Sequence, residues 1–254
     1  MSKEVFKRIQ QRMADAGFYH GKVDGIWGPL SDSAHGAMAA AAVAAGQAVS
    51  QPEQPPIDGF DPPMAWGAKV SRAFRDRVRW IETELGIKAD DLMACMAFES
   101  GRTFRPDIRN AAGSGATGLI QFMPLTALAF WYTHEQIQGM TQAEKLTRGR
   151  QCCDRLAAMT AEDQLNYVYK YFLPYKGRLK NVGDVYMAIL WPAGVGKPDS
   201  HVLWDAGQRP TTYAQNRGLD VNGDRKITRG EAISKIMAVY QQGLQPANMN
   251  GKGQ

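Results

Sequence analysis

Ala89-Asp90-Asp91-Leu92-Met93-Ala94-Cys95-Met96-Ala97-Phe98-Glu99-Ser100-Gly101, followed after a loop by Gly118-Leu119-Ile120-Gln121-Phe122-Met123-Pro124, is the stretch on which the reading of this chain turns. Residues 89 to 98 are mostly good helix formers. Leu92, Cys95, Met96 and Glu99 recur at offsets of three and four, which puts Glu99 on the buried face of the predicted helix. Gly101 is a stop signal, so Glu99 falls in the last turn, where the negative helix end and partial burial both disfavour ionisation. A carboxyl kept protonated near neutral pH can serve as a general acid. An isolated glutamate in such a place more often frays into water. The second segment changes that balance. Gly113, Gly115 and Gly118 give a permissive loop, the apolar run after it is interrupted by one amide, Gln121, and Pro124 suits the first turn of another helix.

Together, Glu99-Ser100-Gly101 and Gly118-Leu119-Ile120-Gln121-Phe122-Met123-Pro124 resemble the soluble lytic transglycosylase and goose-type lysozyme families. The resemblance implies a mainly α, lysozyme-like helical catalytic domain that cleaves the glycan of peptidoglycan. It makes Glu99 the catalytic acid and sets Ser100, Gly118, Leu119, Ile120, Gln121, Phe122 and Met123 along the sugar groove. Lytic transglycosylases commonly carry an alanine, tyrosine, asparagine and glycine segment further on. Leu190-Trp191-Pro192-Ala193-Gly194 keeps the aromatic and the glycine without the asparagine, which puts Trp191 at the groove. Tyr213 is a looser candidate for the tyrosine that closes such sites.

Goose-type lysozymes have an aspartate two residues after the glutamine of the second motif, whereas transglycosylases have methionine, and Met123 stands here. The expected reaction is therefore lytic transglycosylation of the bond between N-acetylmuramic acid and N-acetylglucosamine, with 1,6-anhydromuramyl products. One carboxyl suffices for it, where ordinary glycosidases use two. Three alternatives stay open: lysozyme-type hydrolysis of the same bond with Asp107 reaching in from its loop, a noncatalytic or virion-associated wall-binding protein, and a calcium-responsive adaptor.

The 254 residues, 44% of them hydrophobic, suffice for one substantial core and a small accessory domain. A net charge of +5 suits acidic polymers and anionic surfaces such as an outer membrane, and the resemblance implies peptidoglycan glycan strands as the partner. No basic run is interleaved with aromatics, so nucleic acid is not expected. Cys95, Cys152 and Cys153 offer no disulfide framework. The first residues lack the apolar core of a signal peptide, and the alanine-rich 36–46 stretch is too short to span a membrane. These features are similar to bacteriophage endolysins of Gram-negative hosts, monomers made in the cytoplasm that act on the wall after membrane permeabilisation.

Val5, Ile9, Met13 and Ala16 share one helical face before Gly17, and a glycine-dense turn, Val23-Asp24-Gly25-Ile26-Trp27-Gly28-Pro29, follows. Residues 1–49 thereby resemble the small three-helix peptidoglycan-binding domain, although Ser31 stands near the place of its usual threonine. Tyr19 and Trp27 can stack on sugar or peptide stems and Asp24 can accept ligand hydrogens, or Asp24 only braces the turn. A Pro-rich linker is expected over 50–63, the catalytic domain over 64–247 and a flexible tail over 248–254.

Within the catalytic domain Val70, Phe74, Val78, Ile81 and Leu85 recur at helical spacing before Gly86, with Arg72, Arg75, Arg77 and Arg79 as a solvated face. Thr141 and Thr160 read as N-caps and Asp184 as the cap of a helix to Leu190. Tyr167 and Tyr171 are core residues or a sugar platform. No cofactor is needed for catalysis, but residues 220–231 match the EF-hand calcium loop. Asp220, Asn222 and Asp224 take positions one, three and five, Lys226 offers its carbonyl, Thr228 the ninth position and Glu231 a bidentate carboxylate. A structural calcium is therefore expected, weakened by Arg225 where the loop wants glycine.

Overall fold

The structure, a computed structural model, describes residues 10–11, 14, 19–24, 61–111 and 113–250. Most of the expected wall-binding unit, Trp27 and the cap at Ser31 included, and most of the linker lie outside the described residues. What is described is mainly helical, with a single two-stranded antiparallel sheet among the described residues.

Helix α1, Arg72–Leu85, starts where the Ser71 hydroxyl accepts from Phe74 N and stops at Gly86, whose φ of 69° completes the turn. Phe74, Val78, Ile81 and Leu85 form its buried stripe, as the spacing predicts, whereas Val70, expected on the same stripe, precedes the Ser71 cap in extended backbone. Its arginines are not merely solvated. Arg75 grips the Asp61 carboxylate, Arg79 Nη2 donates to the carbonyls of Pro62 and Pro63, and the Arg77 guanidinium lies 3.8 Å from the Trp80 ring centroid.

Helix α2, Ala89–Glu99, is the centre of the domain and packs on α1, on α7 (Val182–Leu190) and on α9 (Arg229–Gly243). Every residue from Asp91 to Ala97 is buried, so it is covered all round and not on a single stripe. Helices α3 (Pro124–Leu128), α4 (His134–Gln138), α5 (Gln142–Ala157) and α6 (Ala161–Phe172) follow. Pro124 opens α3, Thr141 and Glu144 close a capping box, and the Thr160 hydroxyl accepts from Asp163 N. The cap of α7 is Asn181, whereas Asp184 lies one turn inside and serves another purpose.

Strand β1, Val202–Asp205, pairs with β2, Lys226–Thr228, and α8, Pro210–Asn216, lies between them in the chain. The domain closes on itself at its two ends. Trp66 N donates to Gly243 O, the Trp66 indole donates to Val239 O at 3.1 Å, and Met64 N donates to the Asn250 side chain at 2.9 Å. Asn248 O accepts from Ala68 N as well. Asn248 and Asn250, placed in the expected tail, are tied to the body of the domain by these bonds. Cys95, Cys152 and Cys153 are buried free thiols. Among the described residues no helix is long and apolar enough to cross a membrane.

Candidate active site

Glu99 ends α2, and the chain leaves it through Ser100, whose N–H returns to Met96 O, and Gly101, with φ 61°. The Glu99 side chain is half-buried. No hydrogen bond or ion pair to another described residue relieves its charge, and burial alone pushes its carboxyl up to about 7 from an ordinary 4.5. Tyr186 on α7 stands beside it: its ring meets Phe98 edge-on at 5.3 Å, and burial together with the neighbouring Glu99 carboxylate pushes its phenol up. One more acid sits in the same helix, because Asp91 is buried and its carboxyl rises to about 6 for want of solvent.

The second motif is stitched to the exit of α2. The Ser100 hydroxyl, itself buried, donates to Met96 O at 2.6 Å and accepts from Phe104 N at 3.0 Å. Further along, Gly118 N donates to Ile108 O at 2.8 Å, and Thr117 and Phe122 exchange a pair of backbone bonds. Gln164 of α6, fully buried, holds the whole junction. Its carbonyl accepts from Leu119 N at 2.7 Å and its amide donates to Pro106 O at 3.0 Å and Leu156 O at 2.9 Å. Gly118 is required here, since at φ 81° a Cβ would meet Gln164 Oε1 at 2.2 Å.

These contacts revise the roles expected of several residues. The side chains of Leu119, Ile120 and Phe122 are core, and Ser100 is a buried brace, so none of them presents a surface to a sugar. Gln121, with φ 52°, turns its amide back onto Gly118 O at 3.2 Å and Ile108 O at 3.4 Å. Of that segment Met123 is the exposed member. Asp107 is occupied by Arg105, which holds its carboxyl below the usual range. Tyr171 donates to Ala188 O, and Tyr167 stacks on Trp131 at 5.0 Å. Tyr213, the looser candidate for closing the cleft, donates its hydroxyl to Asp220 Oδ2 at 2.7 Å. Trp191 follows α7, packs edge-on to Trp204 and borders a cavity of about 380 Å³ that Glu99 does not line. In the N-terminal segment Tyr19 is buried, its hydroxyl accepting from Gln10 and donating to Lys22 O. Asp24, half-buried, accepts from Gln10 Nε2 at 3.4 Å.

Over 220–231, where a calcium loop is expected, the side chains bond the loop's own backbone. Asp220 accepts from Gly223 N and Arg225 N, Asn222 from Asp224 N, and Asp224 from Lys226 N. Arg225 takes the left-handed conformation, φ 68°, that glycine normally supplies. Glu231 Oε1 accepts from Val221 N and Asn222 N, while its Oε2 closes a capping box with Thr228. The carboxylates are thus turned onto the loop's own N–H groups. Among the described residues no cluster of three or more His, Cys, Asp or Glu side chains is placed to hold a metal ion. The oxygen donor set still has the hard character that calcium takes.

Beneath the loop lies a buried ion network that no local pattern announces. Arg229 Nη2 meets Asp184 Oδ1 at 2.9 Å with both side chains about 5% exposed, and its other nitrogens reach Asp199 and Gly194 O. Asp184 also accepts from Gly196 N and Lys180 N. No protein-family model matches this chain, and no curated protein matches it significantly.

Proposed function

We propose that this protein is a peptidoglycan-degrading enzyme in which Glu99 is the acid. The observation that carries the reading is a carboxyl at the end of the central helix, unpaired among the described residues and held up to about 7 by burial, with the Tyr186 phenol next to it. In that state Glu99 protonates the oxygen leaving from the bond between N-acetylmuramic acid and N-acetylglucosamine. It then takes the proton from the muramyl C6 hydroxyl as that oxygen attacks C1, which closes the 1,6-anhydro ring. The engagement of Asp107 by Arg105 favours this one-carboxyl route over hydrolysis, for which a second carboxylate would have to activate water.

Endolysin-type release into the wall and glycan strands as partners belong to the same reading. Calcium, where bound, would be held by Asp220, Asn222, Asp224, the Lys226 carbonyl, Thr228 and Glu231 and would brace the loop, with no part in bond cleavage. Mass spectrometry of muropeptides released from stripped walls tests the proposal. The expected products end in anhydromuramic acid, one water lighter than hydrolysed ends, and Glu99→Gln releases none. Retained lysis by Glu99→Gln overturns the acid assignment, and reducing ends throughout replace transglycosylation by hydrolysis.

A further inference from the structure

We propose that the stacked imidazoles of His20 and His134 form a pH-sensitive latch, which holds the N-terminal segment against the helical body at neutral pH and releases it on acidification. The two ring centroids lie 5.3 Å apart with the ring planes 25° from parallel, although the residues stand far apart in the chain.

Each ring is presented by a braced turn. On the N-terminal side Tyr19 is buried, and its hydroxyl accepts from Gln10 Nε2 at 3.0 Å and donates to Lys22 O at 2.9 Å. Gly21 fits against that ring, since a Cβ there would meet the Tyr19 hydroxyl at 2.7 Å. The turn thus keeps its own small core, and His20, between Tyr19 and Gly21, is exposed. On the other side His134 opens α4, whose first turn is fixed by the Thr133–Gln136 capping box.

Other charges bear on the pair from each side. Glu135, on α4 itself, favours an imidazolium at His134, but that carboxylate is already engaged by its own backbone N–H and by the Thr133 hydroxyl. Lys145, from α5, opposes it. On the N-terminal segment Lys22 is exposed and the Asp24 carboxylate accepts from Gln10 Nε2. Burial first, and then His20 and Lys145, hold the His134 imidazole below its usual 6.5. Neutral imidazoles stack as aromatic rings do, and one imidazolium over a neutral ring is tolerated, but two cations this close repel. The docked state therefore binds fewer protons than the released one. Docking is at full strength above about 6.5 and weakens as pH falls below that value, so acid lengthens the reach of the N-terminal segment from the body.

Small-angle scattering of the full chain at about pH 7.5 and about pH 5, together with NMR titration of the His134 ring, tests this. The expected result is a radius of gyration roughly a tenth larger at the acid pH, with the far-ultraviolet helical signal unchanged. The double variant His20→Phe, His134→Phe keeps a ring pair that cannot titrate and should stay compact at both. In His20→Phe alone the His134 midpoint should move up, because the neighbouring charge is gone while the ring cover remains. Equal radii for the parent at the two pH values, the same acid expansion in the double variant, expansion accompanied by loss of helical signal, or a His134 midpoint unmoved by His20→Phe would overturn the latch. None of these readouts depends on whether the protein cleaves peptidoglycan.

Discussion

Replacing Glu99 by glutamine tests the seat of the carboxyl independently of any reaction. Burial raises its folded value to about 7 from 4.5, so between those two pH values the native chain keeps a proton that the unfolded chain gives up. The sign follows directly. The proton-linked stability is intact below about 4.5, is lost as pH rises through about 7, and stays lost above it. At ~1.4 kcal/mol per unit the full penalty comes to ~3.5 kcal/mol, and water at the exposed edge of the side chain reduces it to about 1–3 kcal/mol. Glutamine never ionises, so Glu99→Gln should be progressively more stable than the parent as pH climbs through this window, with a flat difference on either side. For a domain of this size the gain corresponds to roughly 3–10 °C in melting temperature at about pH 8. Asp91, whose carboxyl burial raises to about 6, is common to both proteins and drops out of the comparison. Urea unfolding followed by far-ultraviolet circular dichroism across the pH range supplies the measurement. A difference between the two proteins that does not change with pH refutes the buried-carboxyl argument, whatever the activity shows. In the parent, wall lysis should also decline as pH rises through about 7, because the proton donor is lost there.

Two further perturbations probe the frame around the site. Gln164→Ala strips the partners from Leu119 N, Pro106 O and Leu156 O in a sealed interior, and should cost ~3–5 kcal/mol in denaturant unfolding; a loss under about 1 kcal/mol would mean that the junction is not held by that amide. Arg225→Gly removes a left-handed arginine worth roughly 1 kcal/mol of strain, and the thermal midpoint should then rise more on adding calcium than in the parent. Midpoints that ignore both calcium and chelator in both proteins would remove the metal from the loop.

The helical frame was legible because its signals are local. Ser71, Gly86, Thr141, Thr160 and Pro124 act within one turn of where they stand, and the 3.6-residue stripe of α1 is visible without knowing what covers it. Glu99 as a semi-buried acid was legible for the same reason. The full enclosure of α2 was not, since Asp91 reads as an ordinary first-turn acid and is buried by partners on α7 and α9 that no spacing announces. Gln164 and Arg229 were missed because each makes its decisive bonds 45 residues away. Tyr186 escaped because nothing in its neighbourhood distinguishes a tyrosine that packs from one that faces an acid.

The same distinction decides how the second motif should be understood. Gly118 to Phe122 was read as groove lining because a motif marks which residues matter, not which way they point. Leu119, Ile120 and Phe122 point into the core, Gln121 bonds its own loop, and Gly118 leaves room for the Gln164 amide. The segment therefore acts as a brace: it fixes residues 100–109, the chain that leaves Glu99, through Ile108 and, by way of Gln164, Pro106. A brace transmits its effect through position, so Gly118→Ala, which forces a Cβ against Gln164, should disturb the end of α2 without altering any group that meets a sugar.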